Sequence, residues 1–316
     1  MSSDMSYTTE EIAKLLKISK LTVYDLIKKG ELPSYRVGKQ MRVDASDLEA
    51  YKQRAKMNTM TDRSAEVGQT VRTQALTSTH SIRPIVITGH DIGLDILAKH
   101  MEKSIPGIRP LRSFVGSLDS LISMYRGESD IVSTHLLDGD SGEYNLPYIR
   151  RLLVGSSYMV VNLLSRNAGL YVARGNPFKL AHWSDLSLPG LRFVNREKGS
   201  GARVLLDEQL RKHGIKPEQL AGYGNEQTNH LGVASKVASG EADVGIGIEK
   251  TASLVGHIDF IPLIQERYDL VMLKNPENTN WIQSLLQILH SDGFRRELQA
   301  ISGYDLSRTG EILLET

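Results

Sequence analysis

The chain of 316 residues carries 38 basic and 37 acidic side chains and no cysteine. This length favours about two domains, each large enough to bury a core. The balanced charge excludes a general polycation, and the absence of cysteine excludes disulfide frameworks and thiolate metal sites. Because the start is polar without a signal peptide and no apolar run approaches membrane-spanning length, we expect a cytoplasmic protein that has no membrane partner.

Residues 7–54 show the pattern of two short helices followed by a hairpin and a third helix. Thr8 and Glu11 predict a capping box at the start of the first helix. Ser19 is placed to cap the second helix, which Gly30 ends. Two short helices joined by a tight turn are typical of a helix-turn-helix.

The hairpin follows a break at Leu32-Pro33. Strand-like runs at 34–37 and 40–43 flank Gly38-Lys39, and Ala45 or Ser46 begins the third helix. Residues 1–56 contain 11 basic and 8 acidic side chains, whereas the remainder is slightly acidic. Any contact with nucleic acid is therefore expected near the N-terminus.

The segment YTTEEIAKLLKISKLTVYDLIKKGELPSYRVGKQMRVDASDLEAY resembles the excisionase/MerR-type winged helix-turn-helix. This resemblance implies that the second helix enters the major groove of double-stranded DNA and that the hairpin, or wing, contacts the backbone or minor groove. The implied DNA-binding residues are Ser19, Lys20, Thr22, Val23, Tyr24, Lys28, Arg36, Lys39, Gln40 and Arg42. Two alternatives stay open: Val23 and Tyr24 could belong to the core, and Lys28 could lie on a solvated face.

One such unit offers a small footprint on DNA, so we expect a homodimer or a higher homo-oligomer. We place the DNA-binding domain at residues 1–54 and a ligand-binding domain at residues 83–316. The polar stretch 55–82 between them is either a flexible linker or a partly helical connector that contributes a dimer contact.

From residue 83 onward, strands alternate with helices, which is the signature of parallel α/β units. The stretch 191–214 shows this unit best, with an apolar strand, a glycine-rich turn and an amphipathic helix that His213-Gly214 ends. Ser200 and Gly201 lie where the helix starts, and such a helix start carries unsatisfied N–H donors that suit an anion. The alternative is a helix cap that binds only water.

Several turns share this position at the carboxyl end of a predicted strand. In α/β sheets ligands gather there, so helix starts that converge on one crevice would hold an anion. The turns are Thr88–Asp91, Gly116-Ser117, Thr134-His135, Gly199–Ala202 and Gln227–His230.

The segments TGHDIGLDILAKHM, NREKGSGARVLLDEQL, VASGEADVGIGI and SGYDLSRTGE resemble the type 2 periplasmic-binding-protein-like module described as molybdate-binding or molybdopterin-biosynthesis-associated. The resemblance implies an α/β fold with two lobes joined by crossing strands, the second lobe covering about residues 174–257. It also implies a cytoplasmic regulator in which this module is fused to a winged helix. Ala202 stands where the family pattern GSGTR has Thr, which removes one hydroxyl from the implied pocket.

The function that this combination implies is a ligand-responsive transcriptional regulator without enzymatic activity. Its ligand would be a small anion, either molybdate or tungstate or a molybdopterin-related metabolite, and no other cofactor is expected. The candidate ligand-binding residues are Thr88, His90, Asp91, Gly116, Ser117, Thr134, His135, Arg196, Ser200, Gly201, Ala202, Arg203, Thr228 and His230. Tyr268 either reaches the ligand or packs within its strand.

Two other functions stay open. His90, His135 and His230 all lie at strand ends, so they could bind a metal ion together with Asp91 or Glu249 in a metal-sensing regulator. A molybdopterin-biosynthesis-associated enzyme or accessory protein is the second alternative, although the sequence contains no evident nucleophile–base pair and no nucleotide-binding fingerprint in its required context.

Four further residues have structural predictions only. Trp183 and Trp281 are expected in the core. Asp130 and Asp243 occur in the similar phrases GESDIV and GEADVG, so each is expected to cap the turn that enters a strand, one in each lobe.

Overall fold

The computed structural model describes residues 6–16, 20–28, 32–37, 40–60 and 82–316. Contacts between Cα atoms divide the chain into two compact units, Met1–Ser78 and Thr79–Thr316. Within the described ranges, every helix is too short or too polar to cross a membrane. Most of the stretch predicted to be a linker or connector, 55–82, lies outside these ranges.

The N-terminal unit contains the predicted helix-turn-helix, hairpin and third helix. Its elements are β1 (Ser6–Thr8), α1 (Thr9–Leu16), α2 (Lys20–Lys28), β2 (Tyr35–Val37), β3 (Gln40–Asp44) and α3 (Ala45–Met60). The three strands form an antiparallel sheet in the order β1-β3-β2. Ile12, Val23, Leu32, Val43 and Leu48 pack together as its core.

The predicted capping box at the start of α1 is confirmed. The Thr8 hydroxyl accepts the N–H of Glu11 at 3.3 Å, and the Glu11 carboxylate accepts the N–H of Thr8 at 2.8 Å. The backbone hydrogen bond from Thr8 is the main reason why the pKa of Glu11 lies below its usual value. Two of the free donors at this helix start are therefore satisfied.

The C-terminal unit alternates strands and helices as predicted. Its first half contains β4 (Arg83–Thr88), α4 (Gly93–Ser104), β5 (Ile108–Ser113), α5 (Ser117–Tyr125), β6 (Ile131–Thr134), α6 (Leu146–Leu152) and β7 (Tyr158–Ala173). Next come β8 (Phe193–Arg196), α7 (Gly201–Lys212), β9 (Glu226–Gln227), α8 (His230–Ala238), β10 (Val244–Ile248) and α9 (Glu249–Ala252). The last elements are β11 (Ile258–Leu273), α10 (Thr279–His290), α11 (Asp292–Gln299), β12 (Tyr304–Asp305) and β13 (Ile312–Glu315).

Two long strands divide this unit into two lobes. β7 and β11 pair antiparallel along their whole length, from Ala173 opposite Ile258 to Tyr158 opposite Leu273. The main path of the sheet runs in the order β5-β4-β6-β11-β7-β10-β8-β9. We call the part that contains β4 to β6 and residues 274–316 lobe 1, and the insertion 174–257 lobe 2. The predicted crossing strands and the predicted second lobe are thus present.

Helices cover the sheet of each lobe on both faces. In lobe 1, one face packs against α4, α10 and α11, and the other packs against α5 and α6. In lobe 2, α7 covers one face and α8 the other. Trp281 belongs to the core of lobe 1 and Trp183 to the core of lobe 2, as predicted. Burial on both faces explains why the strands read as nearly continuous apolar runs.

Asp130 and Asp243 have matching positions in the two lobes. The Asp130 carboxylate accepts the backbone N–H of Val86 at 2.8 Å, and the Asp243 carboxylate accepts that of Arg192 at 2.9 Å. Each aspartate therefore joins the start of its own strand to the neighbouring parallel strand. The two aspartates are equivalent in the two lobes as predicted, but the bonds described here run to the neighbouring strand and do not form the predicted cap of their own turn.

The two lobes touch at the start of α5. The N–H of Leu118 in lobe 1 donates to the carbonyl oxygen of Gly199 in lobe 2 at 3.0 Å. A Cβ atom added to Gly116 would lie 2.7 Å from that same oxygen. The side chain of any other residue would therefore keep the lobes from approaching this closely.

We predict that Gly116→Ala separates the lobes. Gly116 has φ −67° and ψ 164°, which alanine adopts without strain, so the effect comes from the clash with Gly199. Loss of a hydrogen bond worth about 1 kcal/mol should accelerate hydrogen exchange of the Leu118 amide about fivefold. Mass-spectrometric exchange on the full chain measures this rate.

Gly256→Ala is the matched control, because an added Cβ at Gly256 meets no atom within 4 Å. Equal exchange rates for Leu118 in Gly116→Ala and Gly256→Ala would show that the lobes close without this contact.

Candidate functional site

Three helices of the C-terminal unit begin at one cavity between the lobes. Gly116 precedes α5, Ser200 precedes α7 and Asn229 precedes α8. The Ser200 hydroxyl accepts the N–H of Arg203, and the Asn229 side chain accepts the N–H of Gly232. Each of these two caps satisfies one N–H donor. Other N–H groups of the helix starts and the positive ends of the helix dipoles therefore lie at the cavity.

The cavity is small, and most of the residues that line it have polar side chains. About 10 Å³ is accessible to a water molecule, which is roughly the space that a single buried water needs. Its lining consists of Gly89, His90, Val115, Gly116, Ser117, His135, Arg166, Arg196, Ser200, Gly201, His230 and Tyr268.

Most of the predicted ligand-binding residues meet at this cavity. They come from separate turns at the carboxyl ends of strands, which is where the α/β pattern places a ligand. Those that line it are His90, Gly116, Ser117, His135, Arg196, Ser200, Gly201 and His230. Their contact with a ligand stays a prediction.

Four predicted residues lie elsewhere. The hydroxyl of Thr88 donates to the carbonyl of Ile131, and that of Thr134 donates to Asn145. Ala202 is part of the lobe 2 core. The guanidinium of Arg203 lies over the ring of Tyr223 and binds Asp207, Glu226 and the carbonyl of Arg196. These side chains are engaged within the protein and do not line the cavity.

Asp91 and Thr228 border grooves that adjoin the cavity. Asp91 lines a groove on the side of Tyr304, whereas Thr228 lines one on the side of Phe114. His90 lines the cavity and both grooves, so it lies at their common boundary.

Two further residues of the cavity are Arg166, which was not predicted as a ligand contact, and Tyr268, for which a ligand contact and packing within its strand both stayed open. Both lie inside the crossing strands β7 and β11, with the Arg166 guanidinium 4.5 Å from the centre of the Tyr268 ring. The Tyr268 hydroxyl is 2.8 Å from the Ser133 hydroxyl, and burial raises its pKa to about 12. The one signal in the sequence is that Arg166 is the single charged residue within the long strand β7.

Arg166 is the centre of a buried ionic network. Its guanidinium binds Asp91 and Glu266, and the Glu266 carboxylate also binds the ring of His135 at 3.1 Å. Burial opposes ionisation of Glu266, but the nearby charges of His135 and Arg166 outweigh it and hold the pKa at about 2. Burial also disfavours a charged Arg166, yet the two carboxylates raise its pKa above the usual value.

The second arginine of the cavity, Arg196, is also compensated. It is 2 % exposed, and its guanidinium binds Glu197 at 2.7 Å and the backbone carbonyls of Gln227 and Thr228 at 3.2 Å. Because carboxylates already offset both arginines, the helix starts and the histidines supply the donors that remain.

Two histidines at the cavity, His90 and His230, favour the neutral form. Burial, and next the charge of Arg196, lower the pKa of His90 from 6.5 to about 4. The same two causes hold the pKa of His230 well below 6.5. His230 is 8 % exposed, and its Nδ1 atom is buried without a hydrogen-bond partner among the described residues. A ligand that accepts or donates a hydrogen bond there would remove this unsatisfied group.

The alternative of a metal site rests on the same three histidines. Over the ranges that the structure describes, no group of three or more His, Asp or Glu side chains is placed to hold a metal ion. His135 instead binds Glu266 and stacks on Tyr268, with ring centres 5.2 Å apart.

The N-terminal unit presents several of the predicted DNA-binding residues at its surface. Thr22, Tyr24 and Arg36 are exposed, and Lys20 forms a half-exposed ion pair with Glu10 at 3.5 Å. Arg42 is half-buried, and its guanidinium donates to the Ser6 hydroxyl. The predictions for Ser19 and Lys39 lie outside the described residues, as do the side chains of Lys28 and Gln40.

The prediction that Val23 contacts DNA is wrong. Its side chain has no exposed surface and packs in the core beside Ile12 and Leu48. In α2 the apolar stripe faces α1 and the sheet, so a valine on that stripe cannot reach a base.

The lowered pKa of His90 predicts a change of stability with pH. As the pH falls from 6.5 towards 4, the unfolded chain takes up a proton at His90 that the folded chain does not. The free energy of unfolding therefore decreases across this window, and the decrease from this group ends below about pH 4. We expect the melting temperature of His90→Asn to fall less steeply than that of the wild type, with His230 contributing part of the remaining slope.

His257→Asn is the control for this comparison. His257 is exposed and has φ 65°, a conformation that asparagine tolerates. If the melting temperature of His90→Asn fell with decreasing pH as steeply as that of the wild type, position 90 would not contribute to the pH dependence of stability.

Comparisons with known proteins agree with this architecture. Residues 98–290 match the profile of the PBP superfamily domain, and residues 6–56 match that of a helix-turn-helix domain. The chain is 48 % identical over 317 residues to the uncharacterized protein YvgK of Bacillus subtilis, and the match covers all of both chains.

Two solved structures are similar in fold. A hydrogen-peroxide-bound mutant of Corynebacterium glutamicum OxyR matches with a TM-score of 0.52 at 12 % identity, over 93 % of this chain and 88 % of that one. A Clostridium perfringens protein, described as the substrate-binding protein of a phosphate ABC transporter with bound phosphate, also has a TM-score of 0.52. It is 16 % identical, over 71 % of this chain and 99 % of its own. The profile match over more than half of the sequence shows that the chain belongs to the PBP superfamily, with a helix-turn-helix domain at its N-terminal end.

Proposed function

We propose that this protein is a cytoplasmic, ligand-responsive transcriptional regulator that senses an effector with an oxyanion group. The helix-turn-helix domain binds double-stranded DNA, and the effector binds between the two lobes of the PBP domain. The observation that carries this proposal is the convergence of three helix starts on one cavity beside the unpartnered Nδ1 of His230.

The electrostatics of the cavity favour an anion of modest charge. Helix starts attract anions through aligned dipoles and free N–H groups. Asp91 and Glu266 already offset Arg166, and Glu197 already offsets Arg196, so little uncompensated positive charge remains. Recognition therefore depends on hydrogen bonds to the oxygen atoms of the ligand.

The size of the cavity couples the ligand to the spacing of the lobes. A space of about 10 Å³ holds roughly one water molecule, so a tetrahedral oxyanion enters only when the surrounding groups withdraw. The ligand then favours a form in which the lobes are spaced differently, and such differential affinity is what a switch requires. Molybdate, tungstate and a molybdopterin-related metabolite are the candidates that the family resemblance suggests.

Binding rather than catalysis is part of the proposal. The Ser200 hydroxyl donates to the carbonyl of Glu197, and the Ser117 hydroxyl accepts the backbone N–H of His135. Both serines of the cavity thus bond to the backbone and not to an imidazole that could activate them.

The proposed assembly is a homodimer or a larger homo-oligomer. A single helix-turn-helix unit contacts a short stretch of DNA, and two copies on a symmetric site provide the usual affinity.

The first test is a thermal shift of the full chain with molybdate, tungstate, sulfate, phosphate and divalent metal ions. A ligand that binds only the folded state adds about 2.7 kcal/mol of stability at a hundred times its dissociation constant. We expect an oxyanion to raise the melting temperature, and we expect Ser117→Ala to weaken this effect. Ser187→Ala, at an exposed position of lobe 2, is the matched control.

If a metal ion raised the melting temperature of the wild type but not that of His90→Ala, metal sensing would be favoured instead. If no oxyanion raised the melting temperature, whether added as an inorganic salt or as a group of a larger molecule, the proposed class of effector would be wrong.

The second test concerns DNA. Arg36 is exposed on the hairpin, so Arg36→Ala should remove one phosphate contact. Fluorescence anisotropy with a mixed-sequence duplex should then show weaker binding and a salt dependence whose slope is smaller by about 0.9.

Lys52→Ala is the control for this substitution, because Lys52 pairs with Glu49 on α3 at 2.7 Å. If Lys52→Ala reduced the slope as much as Arg36→Ala does, the hairpin would have no special role.

A further inference from the structure

A groove of about 250 Å³ opens beside the cavity, on the side of lobe 1 that carries Asp91. Ile92 of lobe 1 borders it, and Leu231 and Leu254 of lobe 2 also line it. The surface of this groove is mainly apolar. The groove thus differs from the cavity, which is narrower and whose surface is about equally polar and apolar.

Three large apolar side chains at this groove face water. Ile92 is 49 % exposed, Leu231 52 % and Leu254 67 %. Single exposed apolar residues are ordinary, but several around one opening mark a binding surface. Because these residues belong to both lobes, an apolar group between them would contact both lobes at once.

The groove and the cavity share two histidines. His90 and His230 line both spaces, and the unpartnered Nδ1 atom belongs to His230. The start of α8 at Asn229 borders the groove, and Lys250 also lines it. Donors suited to an oxyanion therefore lie at one end of an apolar groove.

Asp91, the acidic residue of the groove, does not prevent the binding of an anion. One carboxylate oxygen of Asp91 accepts the Tyr304 hydroxyl at 2.7 Å and the N–H of Gly93 at 2.6 Å. The other oxygen binds the guanidinium of Arg166. Asp91 is 3 % exposed, so its charge is both buried and paired.

We propose that the effector is an organic anion, with its oxyanion group at His90 and His230 and an apolar body between Ile92, Leu231 and Leu254. This inference rests on the proposed function, since it assumes that the anion site is the sensing site. An inorganic anion uses the donors alone, whereas an organic anion also removes the exposed leucine and isoleucine side chains from water. Ligand sites commonly combine an apolar lining with a few polar groups in this way.

Calorimetric titration of the full chain tests this inference with three probes: inorganic phosphate, phenyl phosphate and phenol. Phenyl phosphate should bind at least about tenfold more tightly than phosphate, and phenol should not bind measurably. Tenfold corresponds to about 1.4 kcal/mol, which burial of roughly 55 Å² of apolar surface provides.

Two variants locate the apolar body of the ligand. Leu231→Asn and Leu254→Asn should abolish the preference for phenyl phosphate over phosphate. Leu188→Asn, at a 41 % exposed leucine of lobe 2 outside the groove, should keep the preference.

The outcomes separate this inference from the proposed function. Equal affinity for phosphate and phenyl phosphate, or a preference that survives Leu231→Asn, would overturn the organic ligand but leave the anion site in place. Failure of both anions to bind would overturn this inference, whereas the proposed function would be overturned only if every oxyanion of the thermal-shift test also failed to bind. A change in oligomeric state in Leu231→Asn, measured by light scattering, with no change in ligand preference, would assign the groove to a second copy of the chain.

Discussion

The candidate site depends on a buried guanidinium between the two crossing strands. Arg166 on β7 lies opposite Glu266 on β11, and it also binds Asp91 after β4. Removing Arg166 would leave the buried carboxylates of Asp91 and Glu266 without their common cationic partner, which costs more than a surface ion pair provides. This network therefore fixes the positions of the turn Gly89–Asp91 and of the His135 ring. Both belong to the lobe 1 side of the cavity.

Between the lobes, close packing of the backbone acts in addition to the buried charges. Gly201 lies against the ring of His135, where an added Cβ would come within 2.5 Å, and Gly116 lies against Gly199. Closure of the lobes and the width of the cavity are thus set by the same small residues. A change in lobe spacing would break the Leu118–Gly199 contact and would change the width of the cavity at the same time.

Much of this arrangement could be predicted from the sequence, because helix caps and strand ends leave local signals. The Thr8–Glu11 box and the Ser200 cap each depend on residues that are three positions apart. The role of Arg166 could not be predicted, and that of Tyr268 stayed open between two alternatives, since both depend on the register between two strands a hundred residues apart. The error at Val23 has a similar cause, because only the packing of α2 decides which of its faces is buried.

The order of elements along the chain has a consequence for folding during synthesis. Lobe 2 is one continuous insertion, whereas lobe 1 begins at β4 and is completed by α10, α11 and the strands β12 and β13 that pair with β7. The ribosome therefore supplies every residue of lobe 2 before lobe 1 can close its sheet. Tyr304, which binds Asp91 beside the cavity, comes more than two hundred residues after it. An unfinished chain can thus carry a folded DNA-binding head while it still lacks the site that would regulate it.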